Sequence, residues 1–148
     1  MVRTQAPPIH SHVWHLYSQI LAGSYSETLY EEITDDSTQA EIYHCAEIDY
    51  LVNRNVFEAV GEKTLRPTSH LTVTAGENHT VPAGIPHETH IEESSFVATL
   101  LITSAPQATH ASVYSKNRIL EDSYDRPVLH DAEKFALLAK LTDSLYSP

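Results

Sequence analysis

The sequence predicts an all-β domain, a sandwich or barrel, followed by one helix at its C-terminal end. Three observations carry this. From His10 to about Thr103, short apolar or alternating runs are separated by turn residues, the density expected of antiparallel strands. A helical apolar period occurs only near the end, over about 132–146, where residues three and four apart fall on one face. No linker, repeat period or low-complexity tract divides the 148 residues, so a single domain over 1–148 accounts for the chain, with a β body over about 9–118.

The first run, Val13 to Leu21, is rich in apolar and aromatic residues and stops at Gly23-Ser24. Leu21 to Tyr25 reads as a tight hairpin in which Gly23 takes the positive φ that a short connection requires. Tyr25 to Ile33 alternates and stops at Thr34-Asp35-Asp36-Ser37. Further strands are expected at Glu41 to Ile48, Asn55 to Val60, Leu65 to Thr74, around Thr80-Val81, at Pro86 to Ile91 and at Phe96 to Thr103. Gln107 to Leu129 mixes polar residues with Tyr114, Ile119 and Tyr124, which suggests a strand and an irregular surface loop. Asp131 is placed to cap a helix that starts at Ala132, with Glu133 favourable in its first turn. Phe135, Leu138, Leu141 and Leu145 then form a stripe expected to pack on the outside of the β body.

Nine Lys and Arg against 20 Asp and Glu give a net charge of −11. No basic cluster offsets this locally, so a nucleic-acid partner is excluded as a reading. The acidic patches Glu31-Glu32, Asp35-Asp36 and Glu92-Glu93 read as solvated loops and strand ends. No run of eighteen apolar residues is present, and no membrane partner is expected. The opening MVRTQAPPIHSH has no apolar core of a secretion signal. Cys45 is the single cysteine, which favours a reducing compartment, and the cytoplasm is the expected location.

Ten histidines, one more than all lysines and arginines together, are the compositional anomaly. Histidine is both the commonest metal ligand and the physiological proton switch, and spacing separates the two roles. In Ile9-His10-Ser11-His12, residues i and i+2 of a strand point to the same side, so His10 and His12 project together and can share one metal. Further on, Gly76-Glu77-Asn78-His79-Thr80-Val81-Pro82-Ala83-Gly84-Ile85-Pro86-His87 places Gly and Pro in a tight turn and His87 at the opening of the next strand.

These two pieces together resemble the cupin superfamily, over about residues 9 to 104. Its first motif carries His-x-His, and its second reads Gly-x5-Pro-x-Gly-x2-His-x3-Asn. The second is matched at Gly76, Pro82, Gly84 and His87, with Ile91 in place of the final Asn. The resemblance implies a jelly-roll barrel and a divalent metal held by His10, His12 and His87. The family's usual glutamate ligand, four or five residues after the second His, is replaced by Leu16 and Tyr17. Three histidines with positions left open suit catalysis better than a closed structural site. The three-histidine set is similar to that of thiol dioxygenases of the cysteine dioxygenase type, which implies Fe(II), with Zn, Ni, Mn or Cu as other fits. Those enzymes carry a Ser, His and Tyr triad whose equivalents here are Thr99, Leu101 and Thr103. The opening also resembles bacterial cupins with His-x-His-x-Trp.

Trp14 continues the parity of His10 and His12 and is expected at the pocket wall, with Thr89, on the inner side with His87, and Thr103. His15 and His90 are off parity and are read as outward. His44, His70, His79, His110 and His130 have no motif partner and are read as solvent-facing or locally satisfied. Cys45 is read as a small buried hydrophobe, and Arg54 and Arg66 as the central arginines that could meet a substrate carboxylate. Nine residues before His10 are too few for the strands that normally precede the first motif. An unpaired sheet edge, a shortened form or a homodimer that covers the edge is therefore expected. The functional expectation is a metal-dependent enzyme on a small polar organic molecule, an Fe(II) dioxygenase first. A non-redox lyase, isomerase or hydrolase, or a non-catalytic ligand-binding cupin, is the alternative.

Overall fold

The computed structural model describes residues 9–35, 39–50, 54–117, 123–125 and 128–146. They form β1 (Ile9–His10), β2 (Leu16–Ala22), β3 (Ser24–Ile33), β4 (Glu41–Tyr50), β5 (Arg54–Thr74), β6 (Asn78–Val81), β7 (His87–His90), β8 (Ala98–Thr103), β9 (Ala111–Ser115), β10 (Ser123–Asp125) and α1 (Asp131–Tyr146). The chain is therefore all-β with a C-terminal helix. Seven strands make one sheet in the order β10-β5-β3-β7-β1-β9-β4, and β4 also pairs with β5. Thr64 and Leu65 of β5 pair with Ile33 and Glu32 of β3 on one edge and with Ile42 and Glu41 of β4 on the other. Six strands thus close on themselves, which removes the free edges a sheet otherwise presents. The second sheet is β6-β2-β8.

Three expectations change here. The residues between Asn55–Val60 and Leu65–Thr74 do not break the chain: β5 runs through them, and Gly61, at φ 106°, sits where the register slips opposite Cys45 and Ala46. A glycine bulge bends one long strand without ending it. Residues 13–15 are not strand, and β2 starts at Leu16. The unpaired edge expected beside His10 is absent, because β1 pairs with β7 on one side and with β9 on the other. A strand from late in the chain fills that place, which no local pattern near His10 announces.

Inner and outer faces follow the pleat, with one change of phase. Tyr25 and Glu27 are buried on alternate positions of β3. The register against β5 then slips between Leu29 and Tyr30, and Tyr30 is the next buried residue. One core cluster contains Ile9, Tyr30, Tyr43, Cys45, Leu65 and Tyr114, and a second contains Ile20, Tyr25 and Val73 with Leu71 and Val97 against it. Cys45 is buried, as its reading as a small hydrophobe required, and burial pushes its thiol up to about 11.

The tyrosines of the first cluster place their hydroxyls on carboxylates. Tyr30 donates to Glu88 (2.7 Å), Tyr43 to Glu41 (3.0 Å) and Tyr114 to Glu32 (2.7 Å). Burial, and then these acidic acceptors, raise all three phenols, Tyr43 to about 12. The ordinary phenol ionises at about 10, so above that pH the unfolded chain loses protons that the folded chain keeps. Stability supplied by these groups is complete below pH 10 and is lost as pH rises toward 12 and beyond. The expected result is alkaline unfolding in which part of the tyrosinate absorbance appears together with loss of the β circular-dichroism signal. Complete ionisation ahead of that loss would contradict it.

At the end of the chain, His130 rather than Asp131 precedes the helix. Its N–H donates to the Glu133 carboxylate (2.8 Å), and its carbonyl accepts from Lys134 N–H (3.0 Å), half of a capping box. Asp131 opens α1 and pairs with Lys134 (3.0 Å). The stripe does not bury: no α1 residue is buried, and Phe135 is 71% exposed. Helical period alone shows which side is apolar, not what covers it. Among the described residues, no helix is long and apolar enough to cross a membrane.

Candidate metal centre

The centre is built from one short strand, one turn and one further strand. His10 lies in β1, directly opposite His87 in the antiparallel pair with β7. Residues opposite each other across two strands keep their side chains in contact range. The backbone leaves the strand after His10 but is held extended by Ser11. Its N–H donates to the Ser112 carbonyl (2.9 Å), and its buried hydroxyl accepts from Ser112 N–H (3.0 Å). His12 therefore stays on the side of His10. The Gly76–His87 motif then does two things: Gly84, at φ 76°, turns the chain, and its N–H donates to the His12 carbonyl (2.8 Å). That bond fixes the turn against the first motif and delivers His87 beside it.

The three rings converge. Their centroids are 4.8 Å apart for His10 and His12, 4.5 Å for His10 and His87, and 5.2 Å for His12 and His87. One ring nitrogen from each lies within 4.8 Å of the others, a group able to hold a metal ion. Burial, and then the neighbouring His10 and His87, push the His12 imidazole down to about 3. Burial and His10 push His87 down to about 4, with Glu27 pulling the other way. Both imidazoles are therefore neutral at neutral pH and offer the lone pair a metal needs. His87 Nδ1 is 3.3 Å from the Ile85 carbonyl, so it donates there and leaves Nε2 as the ligand atom. His12 Nδ1 is buried without a hydrogen bond, a loss of about 1–3 kcal/mol that a bound group at this atom would remove. The donor set fits a borderline divalent cation.

Beside the histidines a cavity of about 270 Å3 opens between the two sheets. Its polar wall is Ser18, Tyr25, Glu27, Thr89 and Thr99, and its apolar wall is Leu16, Val81, Ile91 and Val97. Thr89 is thus in the wall. Trp14 is not; its ring stacks on His12 at 5.9 Å and 18° and packs the ligand from behind. Thr103 is exposed, paired with Leu16 across β2–β8, and Thr99 of the same strand takes the place in the wall.

Two residues of the centre escaped the sequence reading. Glu27 is 3% exposed, and its Oε2 is 2.8 Å from Nε2 of His79, itself 10% exposed. Its Oε1 is 3.7 Å from His87 Nε2 and accepts from the Thr89 hydroxyl at 3.4 Å. The parity of Tyr25 and Glu27 on an alternating strand was the available signal for an inward carboxylate. His79 had none, since its burial comes from β6 folding across β2.

The remaining histidines are accounted for by other contacts. His15, expected to point outward, is half-buried, and its Nδ1 accepts from the N–H of Ala83 (3.0 Å), 68 residues further along the chain. His70 meets Thr28 (2.8 Å), and His44, His90 and His110 face Glu62, Glu92 and Glu47 on the exposed surface. Arg66 is held by Glu31 (2.8 Å from Nε) outside the cavity; the Arg54 side chain lies outside the described residues. Compared with protein-family models, curated proteins and solved structures, the chain matches none.

Proposed function

We propose that the chain is a cupin-type jelly roll acting as a mononuclear metal-dependent enzyme on a small polar organic molecule. The observation that carries the reading is the convergence of His10, His12 and His87, two of them held neutral, in the wall of a cavity that has both polar and apolar sides. These three residues hold the ion. A divalent first-row metal there supplies Lewis-acid or redox chemistry, and Fe(II) in a dioxygenase is the first reading, with Zn, Ni, Mn or Cu also suited to three imidazoles. His87 is oriented by the Ile85 carbonyl, His12 is backed by Trp14, and Thr89 and Thr99 offer hydroxyls to a ligand.

A specific observation favours a second reading, a non-redox lyase, isomerase or hydrolase. Glu27 in the cavity wall is backed by His79, a buried imidazole outside the wall with Nε2 2.8 Å from Oε2, a carboxylate and imidazole pairing suited to holding and moving a proton. The Ser-His-Tyr positions of the thiol dioxygenases instead carry Thr99, Leu101 and Thr103, with Leu101 50% exposed. A homodimer belongs to the proposal as well, supported by the edge strand β8 with exposed Leu100, Leu101 and Ile102 and by the uncovered α1 stripe. A cytoplasmic location is supported by the single buried cysteine.

Elemental analysis of protein purified without chelator tests the metal. About one equivalent of a transition metal is expected, and less than about a tenth, with no uptake on adding Fe(II), Zn or Co(II), would sink the reading. If iron is found, oxygen uptake with small thiols separates the dioxygenase from the non-redox reading.

A further inference from the structure

The cavity wall contains one carboxylate and, among the described residues, no Lys or Arg side chain. The two oxygens of that carboxylate are not equivalent. Oε2 of Glu27 lies 2.8 Å from His79 Nε2, a close contact outside hydrogen-bond geometry. Oε1 has only long contacts, 3.4 Å to the Thr89 hydroxyl and 3.7 Å to Nε2 of the metal-site His87. A carboxylate oxygen has room for two acceptor contacts, and a buried one gains most when a charged donor meets it. An anionic ligand would instead bring a second negative charge against Glu27 at low dielectric, with no guanidinium or ammonium in the wall and only an ion on the three histidines to offset it, whereas an amino alcohol turns its hydroxyl to that ion and its ammonium to Glu27. The net charge of −11 opposes an anion at longer range as well.

We propose that Glu27 makes this cavity a site for a small amine or amino alcohol, the ligand ammonium donating to Oε1, and sets it against carboxylates and phosphates. The inference rests on the reading of the cavity as a substrate site. Glu27 is here a specificity-determining residue, and Oε1, the oxygen on the side of His87 and not of His79, faces the ligand. The hydroxyls of Ser18 and Thr99 meet the polar part of such a molecule, and Leu16, Val81 and Ile91 enclose its carbon chain.

The test loads native protein and Glu27→Gln with Co(II) and titrates three probes of one size: 2-aminoethanol, ethylene glycol and glycolate. The visible Co(II) spectrum reads metal uptake, and calorimetry reads probe affinity. Any chelating advantage of glycolate is common to both proteins, so the aminoethanol-to-glycolate affinity ratio isolates Glu27. That ratio is expected to fall at least tenfold in Glu27→Gln, with ethylene glycol changing little. An unchanged ratio, or no aminoethanol binding to the native protein, overturns the proposal. If Glu27→Gln does not fold, the carbon-13 resonance of the Glu27 carboxyl in native protein must shift with aminoethanol and not with ethylene glycol; no shift overturns it too. Absence of Co(II) uptake would instead count against the metal reading, and the carboxyl resonance still reports on the amine in metal-free protein.

Discussion

His87→Ala is expected to abolish tight metal binding, lowering affinity by two orders of magnitude or more while the protein stays folded. Loss of an outer-shell partner typically costs roughly 10–100-fold, and removal of a ligand that is one of three leaves two imidazoles and no built replacement. The nearest carboxylate oxygen, Glu27 Oε1, is 3.7 Å from the His87 nitrogen and outside the converging group. The fold should tolerate the change because His87 carries no stabilising charge. Burial already holds it neutral, near 4. Its backbone pairing with His10 and Leu29 is independent of the side chain. Competition with a chromophoric chelator measures the affinity, and circular dichroism checks the fold. His70→Ala and His110→Ala, which alter surface contacts only, are expected to bind metal as the native protein does. Equal loss in those variants, or none in His87→Ala, would show that the ion is held elsewhere.

The centre was legible where it depends on short-range geometry. His10 and His12 are two apart, and the turn from Pro82 to Pro86 is written in residues whose backbone preferences are strong. Neither needs a distant contact to be read. Glu27 and His79 are different. The first is an acid in an alternating strand whose inward phase is visible only once the burial of Tyr25 is known. The second depends on β6 crossing β2 through the pairing of His79 with Ser18, a contact 61 residues apart by number. The same limit explains the expected free edge at β1. β9 reaches it through Ile9–Tyr114 and His10–Val113 pairing, and long-range strand order has no local signature. The helix shows the converse. Its period was plain in the sequence, but which surface covers Phe135 and Leu138 is a tertiary matter, and none of the described residues buries them.

Gly23→Ala is expected to be among the most damaging single-methyl changes in the chain. Gly23 has φ 74°, and a Cβ built there lies 2.1 Å from the Phe96 carbonyl oxygen and 3.1 Å from its carbon. The left-handed conformation costs an alanine roughly 1–2 kcal/mol. The clash is with backbone, so relief requires moving the segment before β8, and overpacking of this kind costs roughly 1–3 kcal/mol more. Together, about 3 kcal/mol is a large fraction of ordinary domain stability, worth roughly 10 °C of Tm at this size. Gly76→Ala separates the two contributions. Gly76 has φ 90° but nothing within 4 Å of its Cβ position, so only the conformational cost applies and about half the destabilisation is expected. Thermal and urea unfolding of the pair measure both, and equal Tm values would show that the Phe96 contact is relieved at no cost. The site should register the difference as well. Gly23 joins Ile20 and Ala22 of β2 to Tyr25 and Glu27 of β3, and its carbonyl accepts from Ala75 N–H (2.9 Å) in the neighbouring turn. A hairpin forced away from Phe96 carries Tyr25 and Glu27 with it. Gly23→Ala should therefore weaken metal retention in the fraction that still folds, whereas Gly76→Ala should leave it intact.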